Sequence, residues 1–462
     1  MSESKLFQRV VSKKAPTLKS ASGLYMTYYD PDTKQTKTVL DAMTGAAVGS
    51  LGHCDEEIVK LMGDAAKTSN YSFGIFFSND AAEELSNFII EQSKPNHFSS
   101  CLWVSSGSEA NENAIMTIRQ YHIENNQPSR FKFISRVNSY HGFTTGALSL
   151  SDGSRKNDFK KVCLPENQSL KITSCVPFRR GLNVTEEEYT ELLLSELEQC
   201  FIDNDPDTIA GVFIETVSGS SFGTMLPSIG YIDGVINIAH KYGALVCFDE
   251  IMVGLGRSGK YHCYENFTNL QPDLLTVGKT LASGYVTIAG LLISPKVQNV
   301  ITNGSNMVWG TQTYHCHEFS CKVALAVQEK IKRDNLIETG KLVGEYMMNE
   351  FKSILKKSKI VGDVRGLPLF QSIEFCDPVD RTPFDPKLKV CYKVSEKALE
   401  NGITTMPFQG AAGDFTLDDG KVVPYGDHIS IAPAYIITKQ DADKIVKCMC
   451  DAIFAVEAEI LS

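Results

Sequence analysis

The sequence predicts an α/β protein in which a large, doubly wound and mostly parallel sheet precedes a smaller α+β unit. Three patterns carry this. Short apolar runs bounded by turn residues recur at 211–215, 243–249 and 274–277, which is how strands covered on both faces read. Helical patterns at 186–200 and 232–242 alternate with them, giving the strand, loop and helix repeat of a parallel sheet. From about residue 318 the order changes to long helices flanking one alternating run, 369–375, as in an α+β unit.

The N-terminal part opens with an alternating stretch, 25–39, that turns at Asp30-Pro-Asp32 and reads as a hairpin. Gly45, Gly49 and Gly52-His53 punctuate a loop ahead of helical patterns at 56–67 and 80–92. Between those helices lies Tyr71-Ser-Phe-Gly-Ile-Phe-Phe77, a density of aromatics that belongs to a core or to a pocket wall. The run Leu102-Trp-Val then enters Ser105-Ser-Gly-Ser108 and a helix with Ala110, Ala114, Ile115, Ile118 and Tyr121 on its apolar face. Such a turn aims backbone N–H groups, hydroxyls and a helix dipole at one point, a phosphate site, although Ser106 or Ser108 acting as a plain N-cap gives the same letters.

A second strand, 131–135, leads to Tyr140-His-Gly142. An aromatic followed by a glycine suits a ring stacked on a planar cofactor, and suits a core tyrosine as well. Residues 151–171 are polar and show no element. The strand 211–215 ends on Glu215, and the strand 243–249 ends on Asp249. Gly254-Leu-Gly-Arg-Ser-Gly-Lys260 has the outline of a nucleotide loop, but Tyr261 stands where magnesium needs a hydroxyl and no helix pattern follows. The run 274–277 is followed by Gly278-Lys279. A strand at 288–294, a polar loop to Trp309-Gly-Thr-Gln-Thr-Tyr314, and helices at 318–333, 340–356, 387–401 and 439–457 complete the chain.

Asp249 and Lys279 are the chemical centre of this reading. Ligands of open α/β sheets sit beyond the carboxyl ends of the strands, where these opposite charges are delivered. A lysine amine that condenses with an aldehyde, beside a carboxylate that keeps a pyridine nitrogen protonated, is what pyridoxal phosphate requires. The plain alternative is a loop-capping aspartate and a solvated lysine.

Bulk properties narrow the partners. The chain has 462 residues, 43% hydrophobic and 22% charged, with a formal net charge of −10, so nucleic acid and anionic membrane surfaces are not expected. Thirteen scattered cysteines fit a reducing compartment. Neither Cys448-Met-Cys450 nor His315-Cys-His317 has a second ligand pair, so no metal is expected. No apolar run reaches the ~18 residues of a membrane span. The N-terminus carries Lys5, Arg9, Lys13, Lys14 and Lys19 against Glu3 without an apolar core, which leaves the cytoplasm as the expected location and a mitochondrial leader as the alternative.

Together these motifs resemble the class III pyridoxal-phosphate aminotransferases over nearly the whole chain. Asp249-Glu-Ile251, Gly254–Lys260, Gly278-Lys279, Gly107-Ser-Glu-Ala-Asn111 and Tyr140-His-Gly142 stand in family order, with Gly52-His53, Glu215 and Gly362-Asp-Val-Arg-Gly366. The resemblance implies the fold type I architecture: residues 1–65 as part of the small domain, 66–317 as the large cofactor-binding domain and 318–462 as the rest of the small domain. It implies that Lys279 carries the cofactor, Asp249 pairs with the pyridine nitrogen, and Ile251 and Tyr140 sandwich the ring. Gly107 and Ser108 would hold the phosphate, with Thr313 supplied by a second subunit of a homodimer, and Glu215 would line the site.

The expected reaction moves an amino group from an amine or ω-amino acid to a small keto acid. A decarboxylase, racemase or aminomutase on the same scaffold, or a non-catalytic nucleotide-binding protein, are the alternatives. Departures bear on substrate. Thr216 and Met252 stand where the family often has proline and glutamine, and Ser430 stands where α-amino-acid members have a carboxylate-gripping arginine. Val423 occupies the place of the mobile arginine of some ω-amino-acid members, and Arg179 or Arg180 is a candidate substitute cation.

Overall fold

The computed structural model describes residues 5–7, 10–12, 14–417 and 420–462; Glu3, Arg9 and Lys13 of the basic N-terminal stretch lie outside them. The chain opens with a three-stranded antiparallel meander, β1 (Thr17–Ser22), β2 (Tyr25–Asp30) and β3 (Gln35–Leu40). The Asp30 carboxylate accepts the Asp32 amide at 2.9 Å and so shapes the turn between β2 and β3. The polar β1 has no apolar alternation to announce it.

Seven strands form the central sheet: β4 (Ser100–Val104), β5 (Lys132–Arg136), β6 (Ser169–Ile172), β7 (Ile209–Glu215), β8 (Leu245–Asp249), β9 (Leu274–Val277) and β10 (Ala289–Ile293). Their spatial order is β4-β10-β9-β8-β7-β5-β6, and β10 alone runs against its neighbours. Every residue of β7, β8, β9 and β10 is buried, because helices cover both faces. One face packs on Leu193, Phe201, Val235 and Ile236, the other on Ala114, Ile115 and Ile118 of the helix Gly107–Glu124. This is the doubly wound α/β architecture that the apolar runs predict.

The second sheet takes β11 (Val361–Leu367), β12 (Phe370–Phe375), β13 (Met406–Gln409) and β16 (Asp427–Ile431) in the order β11-β12-β16-β13, with β14 (Asp414–Thr416) and β15 (Val422–Pro424) as a separate hairpin. Its core joins Leu24, Leu40, Leu51 and Ile58 to Met347, Phe351, Ile373, Ile431 and Ile453. Backbone bonds tie the same halves: Ala432 N donates to Ala42 O at 2.8 Å and Tyr435 N to Ser50 O at 2.7 Å.

Three local readings are corrected. The helix expected from Gly340 begins earlier, at Leu336. Gly340 and Gly344 mark close packing rather than a boundary, since a Cβ on Gly344 would lie 2.0 Å from Pro368 O. The polar loop after β10 holds a helix, Pro295–Asn303, with proline in its first turn and Val297 buried. The aromatic cluster 71–77 is not core within this chain, because Ile75, Phe76 and Phe77 are 68, 74 and 67% exposed, while Gly74 and Phe77 line a surface pocket beside Asn79, Glu83 and His315.

Candidate active site

The rim of the sheet assembles the predicted strand ends. Register pairs Glu215 of β7 with Asp249 of β8, and Asp249 with Thr276 of β9. Asp249 is buried, and its carboxylate is fixed from several sides. Oδ2 accepts from Asn111 Nδ2 and from His141 Nδ1, both at 2.9 Å, and Oδ1 accepts the Ile251 amide at 3.1 Å. Asn111 also donates to His141 O at 2.6 Å and accepts from Thr276 Oγ1 at 3.1 Å. The helix Gly107–Glu124, the Tyr140-His-Gly142 turn and β9 thereby meet on one carboxylate. Asn111 and His141 lie inside motifs that sequence reasoning singled out, yet it gave them no role; one helical turn between Gly107 and Asn111 is the signal that points the amide back at the strand ends.

Lys279 follows β9 with φ of 45°, a left-handed backbone that costs a non-glycine residue about 1–3 kcal/mol and marks functional positions. Its Nζ forms no hydrogen bond among the described residues. Burial lowers its pKa to about 8, Arg155 and Arg257 push the same way, and Asp249 and Glu215 oppose them. Glu215 is raised by its own burial, with Arg136 Nη2 3.7 Å from its carboxylate drawing it back.

At the other end of the rim, Ser106 caps the helix by accepting the Glu109 amide at 3.3 Å. Ser108 is thus not the cap, and its Oγ accepts the Phe143 amide at 3.0 Å. The first N–H groups of an α-helix have no acceptor within it. A Cβ on Gly107 would lie 2.9 Å from Ile251 Cγ2, and one on Gly278 3.2 Å from Ile251 Cδ1, so Ile251 is seated between the serine turn and the residue before Lys279. Tyr140 is half-buried. Thr313 lies elsewhere in the chain's fabric: it is exposed, its carbonyl accepts from Tyr71 Oη at 3.2 Å, and no hydrogen bond joins it to the strand-end group.

These groups fit pyridoxal phosphate. The helix N-terminus with Ser108 suits a phosphate, and Ile251 and Tyr140 offer an aliphatic and an aromatic face. Asp249 Oδ1 accepts one bond, and a carboxylate oxygen has room for a second. His141 Nε2 is buried without a partner among the described residues, a polar atom left over at the same place. Glu250, the next residue after Asp249, points away. Its carboxylate takes the amides of Cys263 and Tyr264, both at 2.6 Å, and is pushed by burial up to about 8.

Gly254–Lys260, whose nucleotide-loop outline Tyr261 already argues against, is no such loop in the structure. A Cβ on Gly256 would meet Ile337 at 2.6 Å, and Arg257 is fully buried, donating to Leu369 O and Pro433 O at 2.9 Å. The loop is a filled joint between the domains, with no open cradle. The substitute-cation reading of Arg179 and Arg180 is overturned as well. Arg179 pairs with Glu374, and Arg180 donates to Pro177 O at 2.7 Å and Val184 O at 3.1 Å. Ser430 ends a buried ladder of hydroxyls, Thr224, Ser372 and Ser430, linked at 2.8 Å each, and Val423 lies in the β14–β15 hairpin.

The sequence profile of the class III aminotransferases matches residues 11–453. An uncharacterised aminotransferase of Schizosaccharomyces pombe is 32% identical over 458 residues, covering 98% of this chain and 96% of that one. Among solved structures, a transaminase from an ancestral-reconstruction study superposes with a TM-score of 0.88 at 28% identity, covering 97 and 94% of the two chains. The omega transaminase of Pseudomonas jessenii in complex with PMP reaches 0.86 at 25% identity, covering 96 and 93%. A fold, a rim and a profile that agree from end to end leave one assignment: the chain belongs to the class III aminotransferases, which move amino groups with pyridoxal 5′-phosphate as cofactor.

Proposed function

We propose that the enzyme takes an amino group from a simple amine or an ω-amino acid and passes it to a small keto acid, with pyruvate preferred to 2-oxoglutarate. The observation that carries this is the absence of an arginine at the C-terminal carboxylate position: Ser430 is consumed in the hydroxyl ladder, and Arg179 and Arg180 are bound elsewhere. A serine cannot replace the charge of a bidentate guanidinium.

Bound pyridoxal phosphate supplies the electron sink for the substrate carbanion. In our reading Lys279 is the residue that carries it and, once released, the base and acid that moves the proton at the amine-bearing carbon. An amine lowered to about 8 is largely neutral slightly above that pH and accepts a proton readily. Asp249, held by Asn111, His141 and the Ile251 amide, is oriented to face the pyridine nitrogen. Ile251 and Tyr140 confine the ring, Gly107 and Ser108 hold the phosphate, and Glu215 sets the polarity of the rim.

We also assign a homodimer in which Thr313 reaches the phosphate of the second copy. Tyr71, Phe73, Ile75, Phe76 and Phe77 are exposed beside Met307, Val308, Trp309 and Tyr314, with the rings of Tyr71 and Tyr314 6.1 Å apart. Exposed apolar side chains on two segments that meet at Tyr71 and Tyr314 call for a partner, and Thr313, held by Tyr71, supports a second copy. A cytoplasmic setting agrees with thirteen cysteines that are all free; a fluorescent fusion followed by microscopy checks it against the mitochondrion.

The test is chemical. Borohydride reduction and peptide mapping should place the pyridoxyl group on Lys279, and a label on Lys260 would overturn the assignment. Turnover of an amine panel should require a keto acid. Product formed without any acceptor would replace the transaminase reading with a decarboxylase, racemase or aminomutase, and efficient use of glutamate and 2-oxoglutarate would overturn the substrate class.

A further inference from the structure

The loop after the helix Pro295–Asn303 carries Thr313, and the reading above sends that residue to the phosphate of a second copy. A loop that reaches out of its own subunit has to be held from behind, because ordering a loose one on docking costs conformational entropy. Met307, Val308 and Trp309 are exposed, so their side chains do not provide the hold.

The last turns of the helix Gly107–Glu124 provide it. Gln120 is buried, and both ends of its amide are spent on the backbone of the loop: Nε2 donates to Met307 O at 2.6 Å, and Oε1 accepts the Trp309 amide at 3.1 Å. Nε2 also donates to Glu124 Oε1 at 2.8 Å. Glu124 in turn accepts the Ser305 amide at 3.1 Å and the Ser305 hydroxyl at 2.6 Å. A Cβ on Gly304 would lie 2.2 Å from Glu124 Oε2, so a glycine is what lets the carboxylate come this close. A carboxylate in the last turn faces the negative end of the helix dipole, an unfavourable place that these donors offset. Apart from these bonds and those within the segment, the described residues hold 305–309 only through the Asn306 amide on Ile301 O at 2.9 Å.

We infer that Gln120, seconded by Glu124, is a positioning residue for the cofactor of the other subunit: it holds the 305–313 loop so that Thr313 reaches that subunit's phosphate. The inference rests on the homodimer reading with Thr313 at the second copy's phosphate. The helix that carries Gln120 begins at Gly107 and Ser108, the phosphate turn of its own subunit. Ser108 and Gln120 lie about 18 Å apart along it, at 1.5 Å per residue. One rod therefore meets two cofactors. Its first turn holds the phosphate of its own subunit, and its last turns hold the loop that serves the other. Loss of the Gln120 amide leaves Met307 O and the Trp309 amide to water, and the loop then has to be ordered at the expense of cofactor affinity in the opposite subunit.

Hybrid dimers separate the two subunits. Chains with two different affinity tags are co-expressed and purified in tandem, one of them carrying Lys279→Ala, so that borohydride fixes pyridoxal phosphate on Lys279 of the other chain alone. The cofactor-free hybrid is titrated with pyridoxal phosphate, and peptide mapping gives the concentration that half-saturates the label. With Gln120→Leu in the chain that carries Lys279→Ala, this concentration should rise about 10-fold, the scale of one hydrogen bond to a charged group. With Gln120→Leu in the labelled chain it should stay at the value of the hybrid with Lys279→Ala only. Glu124→Ala should repeat the pattern at about 3-fold, and it decides the matter if Gln120→Leu does not fold. Thr313→Ala opposite the labelled chain should match Gln120→Leu, and adding Gln120→Leu to it should change nothing further. A rise that follows Gln120→Leu in the labelled chain, no rise in either arrangement, or a further rise on top of Thr313→Ala overturns the positioning role alone. Thr313→Ala without effect opposite the labelled chain overturns the Thr313 reading, and wild-type chains that sediment as monomers overturn the homodimer; either result takes the role of Gln120 with it.

Discussion

The two ends of the cleft are built differently. The cofactor end is built on adjacent strands of one sheet, and its central carboxylate accepts bonds from Asn111 on a helix, from His141 in the segment after β5 and from Ile251 just past β8. Where the two sheets face each other, the contacts come from separate pieces, Arg155 on a short helix, Ser220 in the loop after β7 and Phe408 on β13, joined by ring faces and one hydroxyl contact. The difference teaches a division of labour. Groups that must be preorganised suit the rim of a rigid sheet, whereas groups drawn from separate pieces of the two sheets' surroundings can be changed without disturbing it.

Variants that break the rigid end should have the largest effects. Lys279→Ala removes the amine itself, and turnover should fall by about 10⁴-fold or more, read as initial rates at saturating amine and keto acid. Asp249→Asn keeps shape and loses charge. We expect kcat to fall by roughly 10³-fold with cofactor content little changed, because the lost stabilisation is felt mostly in the transition state; a near-normal kcat would reduce Asp249 to a structural role.

The third effect is a titration. Lys279 is lowered from 10.5 to about 8, so its amine is charged and unreactive well below pH 8 and neutral well above it. Competitive acylation of the cofactor-free protein should show a labelling midpoint for Lys279 near 8, where an ordinary exposed lysine is neutral in under about 1% of molecules. A midpoint near that of the surface lysines would show that burial does not depress it. Asn111→Ala should cost about 1–3 kcal/mol of stability by stranding the buried groups it joins, with a smaller loss of kcat than Asp249→Asn; a loss equal to that of Asp249→Asn would make the orientation of the carboxylate as important as its charge. The smallest effect is expected at Ser430→Ala, about 1 kcal/mol in chemical denaturation from one lost hydrogen bond. Choice of acceptor should not change, and a changed preference would bring the hydroxyl ladder into the substrate end.

What the sequence made legible follows the same line. Asp249, Lys279 and Glu215 end apolar runs, and a run covered by helices on both faces has a composition that a reader can see. Gly107 and Tyr140 come with their own turn chemistry. Arg155 does not, because nothing about an arginine in a polar stretch says that a ring from residue 408 will stack on it; that contact exists only after two domains have docked. Arg179 and Arg180 failed for the opposite reason. They have the right charge, but Glu374 and local carbonyls had already claimed it. The helix Pro295–Asn303 has an apolar stripe, Val297, Val300 and Ile301 at i, i+3 and i+4, but in nine residues that are otherwise polar it reads as loop.

The small domain's mixed parentage bears on how the protein is made. Asp41 accepts a hydrogen bond from Thr404, 363 residues later, at 2.7 Å, and the apolar side chains of the first strands have no other core to enter. On a ribosome adding about 5–20 residues per second, those strands wait about 20–70 s for their partners. Through that interval the central sheet can close while the nascent N-terminal segment stays exposed to misassembly. Truncation of the last helix should therefore yield chains that aggregate during synthesis, even though every residue of the cofactor end is already present.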